Sequence, residues 1–234
     1  MTKNAVTLHD VAKMYRRGVR DVVAVECVSL AIPRGQFVAL MGPSGSGKST
    51  LLNMIAGLDS PSSGEIHVDG VALSVLGDDG LTDLRRTKIG VIFQLFNLLP
   101  SITVAENVAL PLRAAGVVTG VRARVTQALA MVGLGERMDH FPEELSGGEM
   151  QRTAIARALV IEPTIILADE PTGSLDSETG RDVLATLRRC VEERGVTILL
   201  VTHDETAAGW ADRIIRMRDG RCESGTLIPR AAVV

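Results

Sequence analysis

One short run, Gly42-Pro43-Ser44-Gly45-Ser46-Gly47-Lys48-Ser49, leaves this chain few folds to choose from, because it fits the pattern G-x-x-x-x-G-K-[ST]. Before it, Phe37-Val38-Ala39-Leu40-Met41 has the length and apolar character of a buried strand. After it, from about Lys48, Leu51, Leu52 and Ile55 share one helical face, and Gly57 stops the pattern. A glycine-rich turn in that position lets backbone N–H groups converge on phosphate oxygens without a Cβ in the way. The positive end of the following helix adds to the same field. Lys48 is placed to reach β and γ phosphates, and the Ser49 hydroxyl to ligate Mg²⁺.

Elsewhere, strand-like runs alternate with helix-period segments, which predicts an α/β fold on a parallel sheet. Residues 66–70, 89–93, 165–168 and 196–201 read as strands. Segment 95–157 breaks the alternation. Helical periodicity covers 106–115 and 122–131, and a Gly/Pro-punctuated connection follows. A third helix starts at Gly148, with Ala154, Ile155, Ala158 and Leu159 on one stripe. This predicts a mostly helical lobe, 95–157, inserted into a core made of 1–94 and 158–234, the whole forming one domain. Residues 178–193 form another amphipathic helix, with Val183, Leu184, Leu187 and Val191 turned inward.

Apolar residues at 46% and charged residues at 23% can bury such a core, which excludes disorder as the main state. A net charge of -3 argues against a generally basic nucleic-acid binder. No apolar run approaches the ~18 residues of a membrane span. The first ten residues lack the apolar stretch of a signal peptide. Cys27, Cys190 and Cys222 are far apart and odd in number, as expected of free thiols in a reducing cytosol.

Three further groups carry chemistry. Asp169-Glu170 follows the apolar run 165–168, where the first carboxylate suits Mg²⁺ held through water and the second suits a general base. His203 follows the run 196–201. In an open parallel sheet, ligands sit at the carboxyl ends of the strands, so the cradle, Asp169-Glu170 and His203 should meet on one edge. Leu145-Ser146-Gly147-Gly148-Glu149-Met150-Gln151 opens a helix with an N-capping serine. A plain capped helix and a second anion site both fit those residues. The cradle already surrounds its own nucleotide, so a second anion site needs a phosphate from elsewhere.

Taken together, these motifs resemble the nucleotide-binding domain of an ABC (ATP-binding cassette) ATPase over nearly the whole chain. Residues 42–49 resemble the family's Walker A, 165–170 its Walker B with the catalytic glutamate, and 145–151 its signature motif. Ser174-Leu175-Asp176 resembles the D-loop, His203 the switch histidine and Gln94 the Q-loop glutamine. Tyr15, the only tyrosine, falls where the family places an adenine-stacking aromatic.

The resemblance implies a P-loop, RecA-like, mostly parallel sheet core with an N-terminal antiparallel β part and the helical subdomain. It implies ATP and Mg²⁺ as cofactors. Tyr15, Gly42, Ser44, Gly45, Ser46, Gly47, Lys48, Ser49 and Thr50 would hold one ATP. Ser49, Gln94 and Asp169 would serve the metal, and Glu170, His203 and Gln94 the hydrolysis. A second copy, bound head to tail, would contribute Ser146, Gly147, Gly148 and Asp176.

Within the family, Tyr15-Arg16-Arg17-Gly18, residues 93–100, Glu106-Asn107-Val108-Ala109-Leu110-Pro111 and residues 168–173 are similar to the macrolide-exporter and lipoprotein-releasing subgroup. Its ATPases work on separate membrane permeases, which implies a cytoplasmic protein held peripherally at the inner face of the cell membrane. Glu149-Met150 departs from the commoner residues after the signature glycines. Leu95, Phe96, Leu98 and Leu99 fit either lobe core or an exposed groove for a permease helix. The rival reading is a non-transport ABC switch acting on a cell-division or iron–sulfur-assembly partner. A nucleic-acid or ribosome ATPase is disfavoured by the single cassette, the lack of a heptad run and the net charge.

Overall fold

The structure, a computed structural model, describes residues 4–18, 20–223 and 226–227. Residues 1–3, 19, 224–225 and 228–234 of the expected domain and the Arg17 side chain lie outside the described residues. Two long strands come first, β1 (Asn4–Arg17) and β2 (Arg20–Pro33). Then follow β3 (Phe37–Met41), α1 (Lys48–Ile55), β4 (Ser63–Val68), β5 (Val71–Ala72), α2 (Asp78–Lys88) and β6 (Ile89–Ile92). Helices α3 (Val104–Ala114), α4 (Val121–Met131) and α5 (Gly147–Leu159) make the expected lobe. The chain continues through β7 (Ile165–Asp169), α6 (Ser177–Arg194), β8 (Thr197–Thr202), α7 (Glu205–Ala208), β9 (Arg213–Arg218), β10 (Arg221–Cys222) and β11 (Thr226–Leu227).

Strands β2-β1-β4-β5 form an antiparallel sheet. The other sheet runs β10-β9-β3-β8-β7-β6, with β11 also on β9, and every pairing from β9 to β6 is parallel. Strands β3, β7 and β8 read as unbroken apolar runs because both their faces are covered. Val38, Leu40, Ile165, Leu167, Leu199 and Val201 pack toward α1 and the antiparallel sheet. Phe37, Ala39, Ile166, Ala168, Ile198 and Leu200 pack toward α3–α6. Phe37 is fully buried, and truncating such a side chain to Ala costs about 3–5 kcal/mol. Among the described residues, no helix is long and apolar enough to cross a membrane.

Helix starts are chemically marked. Thr103 with Glu106 and Ser146 with Glu149 form capping boxes on α3 and α5, and Asp176 caps α6. Those caps set α3 two residues earlier than its apolar period suggested. The expected lobe boundary at 157 falls inside α5, whose last turn, Ala158 and Leu159, packs in the same cluster as α3 and α4. The hairpin of β1 and β2 was not readable from period. Its register shifts between Leu8 and Val11, and Asp10 and Cys27 take left-handed φ values of 48 and 50. Such bulges break the period of two.

Candidate active site

Parallel pairing builds the site. Met41 pairs with Thr202, Asp169 with Val201 and Ile92 with Ala168. Strands β3, β8, β7 and β6 therefore end at one edge, and the residues just past them are Gly42, His203, Glu170 and Phe93-Gln94.

Between β3 and α1, Lys48 folds back on its own loop. Its Nζ donates to the carbonyls of Gly42 and Pro43, both at 2.8 Å, and 6% of the residue is exposed. Gly47 stands at φ 100, where a Cβ would collide with the Ala24 carbonyl of β2, so only glycine fits there. Helix α1 has neither a side-chain cap nor an acidic residue in its first turn. Its first N–H groups therefore remain open to an anion. The Ser46 hydroxyl is buried without a partner among the described residues. A buried polar group of that kind fits a cradle whose partner is a ligand.

Ser49 Oγ lies 3.4 Å from Asp169 Oδ1. Burial pushes the Asp169 carboxyl above its ordinary value, and the Glu170 charge adds to this, while Ser49 and Lys48 oppose it. Glu170 sits in the left-handed region at φ 45, a conformation that costs a side-chain-bearing residue about 1–3 kcal/mol and recurs at functional sites. Its N–H donates to the Val201 carbonyl at 3.0 Å, which pins it. Its Oε1 is 2.9 Å from His203 Nδ1. The Gln94 amide lies against Gly173, where a Cβ would come within 2.9 Å of Nε2. The Ser174 hydroxyl donates to the Gln94 carbonyl at 3.0 Å.

Tyr15 extends the site along β1. Its hydroxyl donates to Asp59 Oδ2 at 2.6 Å, and the Lys13 ammonium stands 5.0 Å from the ring centre. The bond to Asp59 raises the Tyr15 pKa, with burial adding to the shift and Thr50 opposing it. Burial disfavours the charge on Asp59, but bonds from Lys13 and Tyr15 outweigh it and hold the carboxyl below the usual range.

The signature residues stand apart from the cradle, and no hydrogen bond joins them to it among the described residues. Ser146 donates its N–H and its hydroxyl to Glu149 Oε2, both at 2.9 Å. Gly148 packs so closely on Thr179 that a Cβ would collide with its methyl group. Asp176 accepts from the N–H groups of Glu178 and Thr179 at 3.1 and 3.0 Å, which makes it a helix cap here.

Three polar residues to which the sequence assigned no such role, two of them inside its motifs, hold the loops around the site. Gln151, fully buried, donates to the carbonyls of Phe93 at 3.2 Å and Pro171 at 2.6 Å. Asn107, also fully buried, donates to the carbonyls of Leu99, Ile102 and Thr103. Arg157 donates to the carbonyls of Phe96 and Asn97 at 2.8 and 2.5 Å. With its backbone held this way, the segment after Gln94 leaves Leu95 70% exposed and Leu99 48% exposed. The Gln151 signal was present in the sequence: it lies one turn before Ala154 and Ile155, a polar side chain on a buried stripe.

Hydroxyl, amide and carboxylate oxygens at Ser49, Gln94 and Asp169 form a hard donor set that suits Mg²⁺ shared with phosphate oxygens. No cluster of three His, Cys, Asp or Glu side chains able to hold a metal by itself occurs among the described residues.

A lysine-bearing phosphate cradle facing a strand-end carboxylate pair defines a P-loop nucleoside triphosphatase. The ABC transporter family model matches residues 25–173. An ABC transporter ATP-binding protein of Methanocaldococcus jannaschii, MJ0796, is 48% identical over 223 residues, covering 93% of this chain and 95% of that protein. The macrolide export ATP-binding/permease protein MacB of Syntrophobacter fumaroxidans is 49% identical over 223 residues, but the match spans only 31% of its length. A solved dimeric, post-hydrolysis structure of MJ0796 bound to ADP and Pi superposes with a TM-score of 0.86 at 45% identity, covering 97% of this chain and all of that one. The chain belongs to the ABC transporter family, as its ATP-hydrolysing cassette.

Proposed function

We propose that two copies of this chain close head to tail around two ATP and drive a separate membrane permease of exporter type. The observation that carries the reading is the meeting of Ser49, Asp169, Glu170 and His203 at one sheet edge, while Ser146-Gly147-Gly148 stands apart from that edge. A signature turn that stands apart from the cradle of its own chain would meet an ATP only across a second copy. The dimeric state of the MJ0796 structure supports this. The ATP-binding/permease architecture named for MacB supports a permease partner, and with it a place at the inner face of the membrane.

Tyr15 stacks on the adenine, and the cradle with Lys48, Ser49 and Thr50 grips the phosphates. Ser49, Gln94 and Asp169 would hold Mg²⁺, which would supply neutralisation of phosphate charge. Glu170 takes a proton from the attacking water. His203, 2.9 Å from Glu170, orients that carboxylate and steadies the γ-phosphate. Ser146, Gly148 and Asp176 act on the ATP of the other copy. The exposed Leu95 and Leu99, just past Gln94, offer the permease a contact. Contacts made only with the γ-phosphate set the difference between closed and open states.

A Glu170→Gln protein loaded with ATP tests this. It should elute as a dimer and capture a polytopic membrane protein from detergent-solubilised membranes. A monomer under those conditions would refute the sandwich. Capture of soluble partners alone would replace transport with an ATP-driven switch.

A further inference from the structure

A cavity of 450 Å³ opens at the opposite end of the parallel strands from the cradle. It lies where α4 and the end of α5 meet Pro163, just before β7, and Val196, just before β8. That volume falls within the few hundred to ~1,000 Å³ of small-molecule sites. Arg34, Arg124 and Arg194 line it, and Glu162 is the one carboxylate among its lining residues. The overall charge of the chain is -3, so this concentration of arginine runs against the background.

The three arginines are unequally matched. Arg34 pairs with Asp69, which also takes Lys88 at 3.1 Å. Arg194 meets an amide: with Gln127 Oε1 turned toward it, the guanidinium donates at 2.8 and 3.3 Å. Arg124 donates from Nη2 to the Val160 carbonyl at 2.8 Å, and its Nε, closed off from solvent, has no acceptor among the described residues. An oxyanion is the partner that best matches guanidinium groups gathered in one cavity wall. Ala128, Leu159 and Val196 give the rest of the wall an apolar surface.

We propose that this seam binds a small organic anion: an apolar or aromatic body carrying one carboxylate, sulfonate or phosphate, seated on Arg124 and Arg194. The walls come from α4 in the lobe and from the strand starts in the core, so the bound anion spans the two. Its chemistry differs from that of ATP, because the site offers one anion seat beside an apolar wall and no glycine cradle.

8-Anilinonaphthalene-1-sulfonate is a suitable probe, since it joins an aromatic body to one sulfonate and fluoresces on leaving water. Titrated into the full chain, it should fill a single saturable site that persists in saturating ATP. Arg124→Gln should weaken it about tenfold, the worth of one charge-assisted hydrogen bond. Gln127→Trp, at an exposed position of α4, should block the cavity and abolish binding while leaving ATPase activity intact. If Arg124→Gln does not fold, Gln127→Trp decides alone. Non-saturable fluorescence, displacement by ATP, or undiminished binding to Gln127→Trp would overturn the proposal.

Discussion

Replacing Gln151 by leucine should uncouple the two loops that hold the hydrolytic residues. Gln151 donates to the Phe93 carbonyl at 3.2 Å and to the Pro171 carbonyl at 2.6 Å. Phe93 precedes Gln94 and Pro171 follows Glu170, so one side chain fixes the spacing between them. The Gln151→Leu change would leave both acceptors without this donor. The Pro171 bond is buried, and losing it costs about 1–3 kcal/mol. The Phe93 bond is less buried, so water can replace part of it, and about 1 kcal/mol is a fair allowance. Against this, Gln151 Oε1 is itself buried without a partner among the described residues, and its removal returns about 1 kcal/mol. The net loss is about 2 kcal/mol. With a urea m-value of about 2–3 kcal/mol/M for a chain of this size, the unfolding midpoint should fall by about 1 M. The kcat for ATP hydrolysis should fall by roughly tenfold or more, because a small misplacement of reacting groups is expensive. KM for ATP should hold, since the cradle is untouched. Urea titration and steady-state phosphate release measure both. An unchanged midpoint together with unchanged kcat would refute the reasoning.

Glu170→Gln should keep ATP binding but lose on the order of 10²-fold or more in turnover; phosphate release at the normal rate would remove Glu170 from the role of base. Tyr15→Ala should weaken ATP by roughly 1–3 kcal/mol if the ring stacks on the base, while Tyr15→Phe should nearly preserve affinity; titration with a fluorescent ATP analogue compares them. Glu149→Gln tests the signature cap. The Ser146 N–H holds the Glu149 carboxyl below its ordinary range, with burial opposing this and the Ser146 hydroxyl and Arg137 assisting. A depressed carboxylate contributes stability above its unfolded pKa of about 4.3, and that contribution is lost as pH falls through the lower folded value. The urea midpoints of parent and Glu149→Gln should therefore differ at pH 7 and draw together as the pH falls below the usual carboxylate range, and a gap that does not shrink with acid would refute the assignment.

Much of the site was readable because its residues come in contiguous runs. The cradle sits in a run of eight residues after an apolar strand, and Asp169-Glu170 and His203 each follow another such strand. Parallel pairing then did what sheet geometry requires, bringing the strand ends to one edge. The residues that hold the loops were less legible, because their partners lie far along the chain. Asp59 meets Tyr15 across 44 positions, and Arg157 meets Phe96 across 61. No local pattern encodes such pairs. Helix α2 escaped notice because Leu84 is its only buried residue. Strand β9 escaped because arginines hold both its ends.

The posture of Lys48 bears on how this protein is taken apart experimentally. Its ammonium braces the two carbonyls that open the cradle, so an arriving phosphate exchanges partners with the loop and does not meet a spare cation. Deleting Lys48 therefore removes a ligand contact and an internal strut in one stroke. A weakened nucleotide affinity in such a variant would mix the two losses and overstate the attraction of the charge for ATP. Changes past the phosphates, at Glu170 or Gln151, keep the loop in its native shape and let grip and turnover be measured as separate quantities.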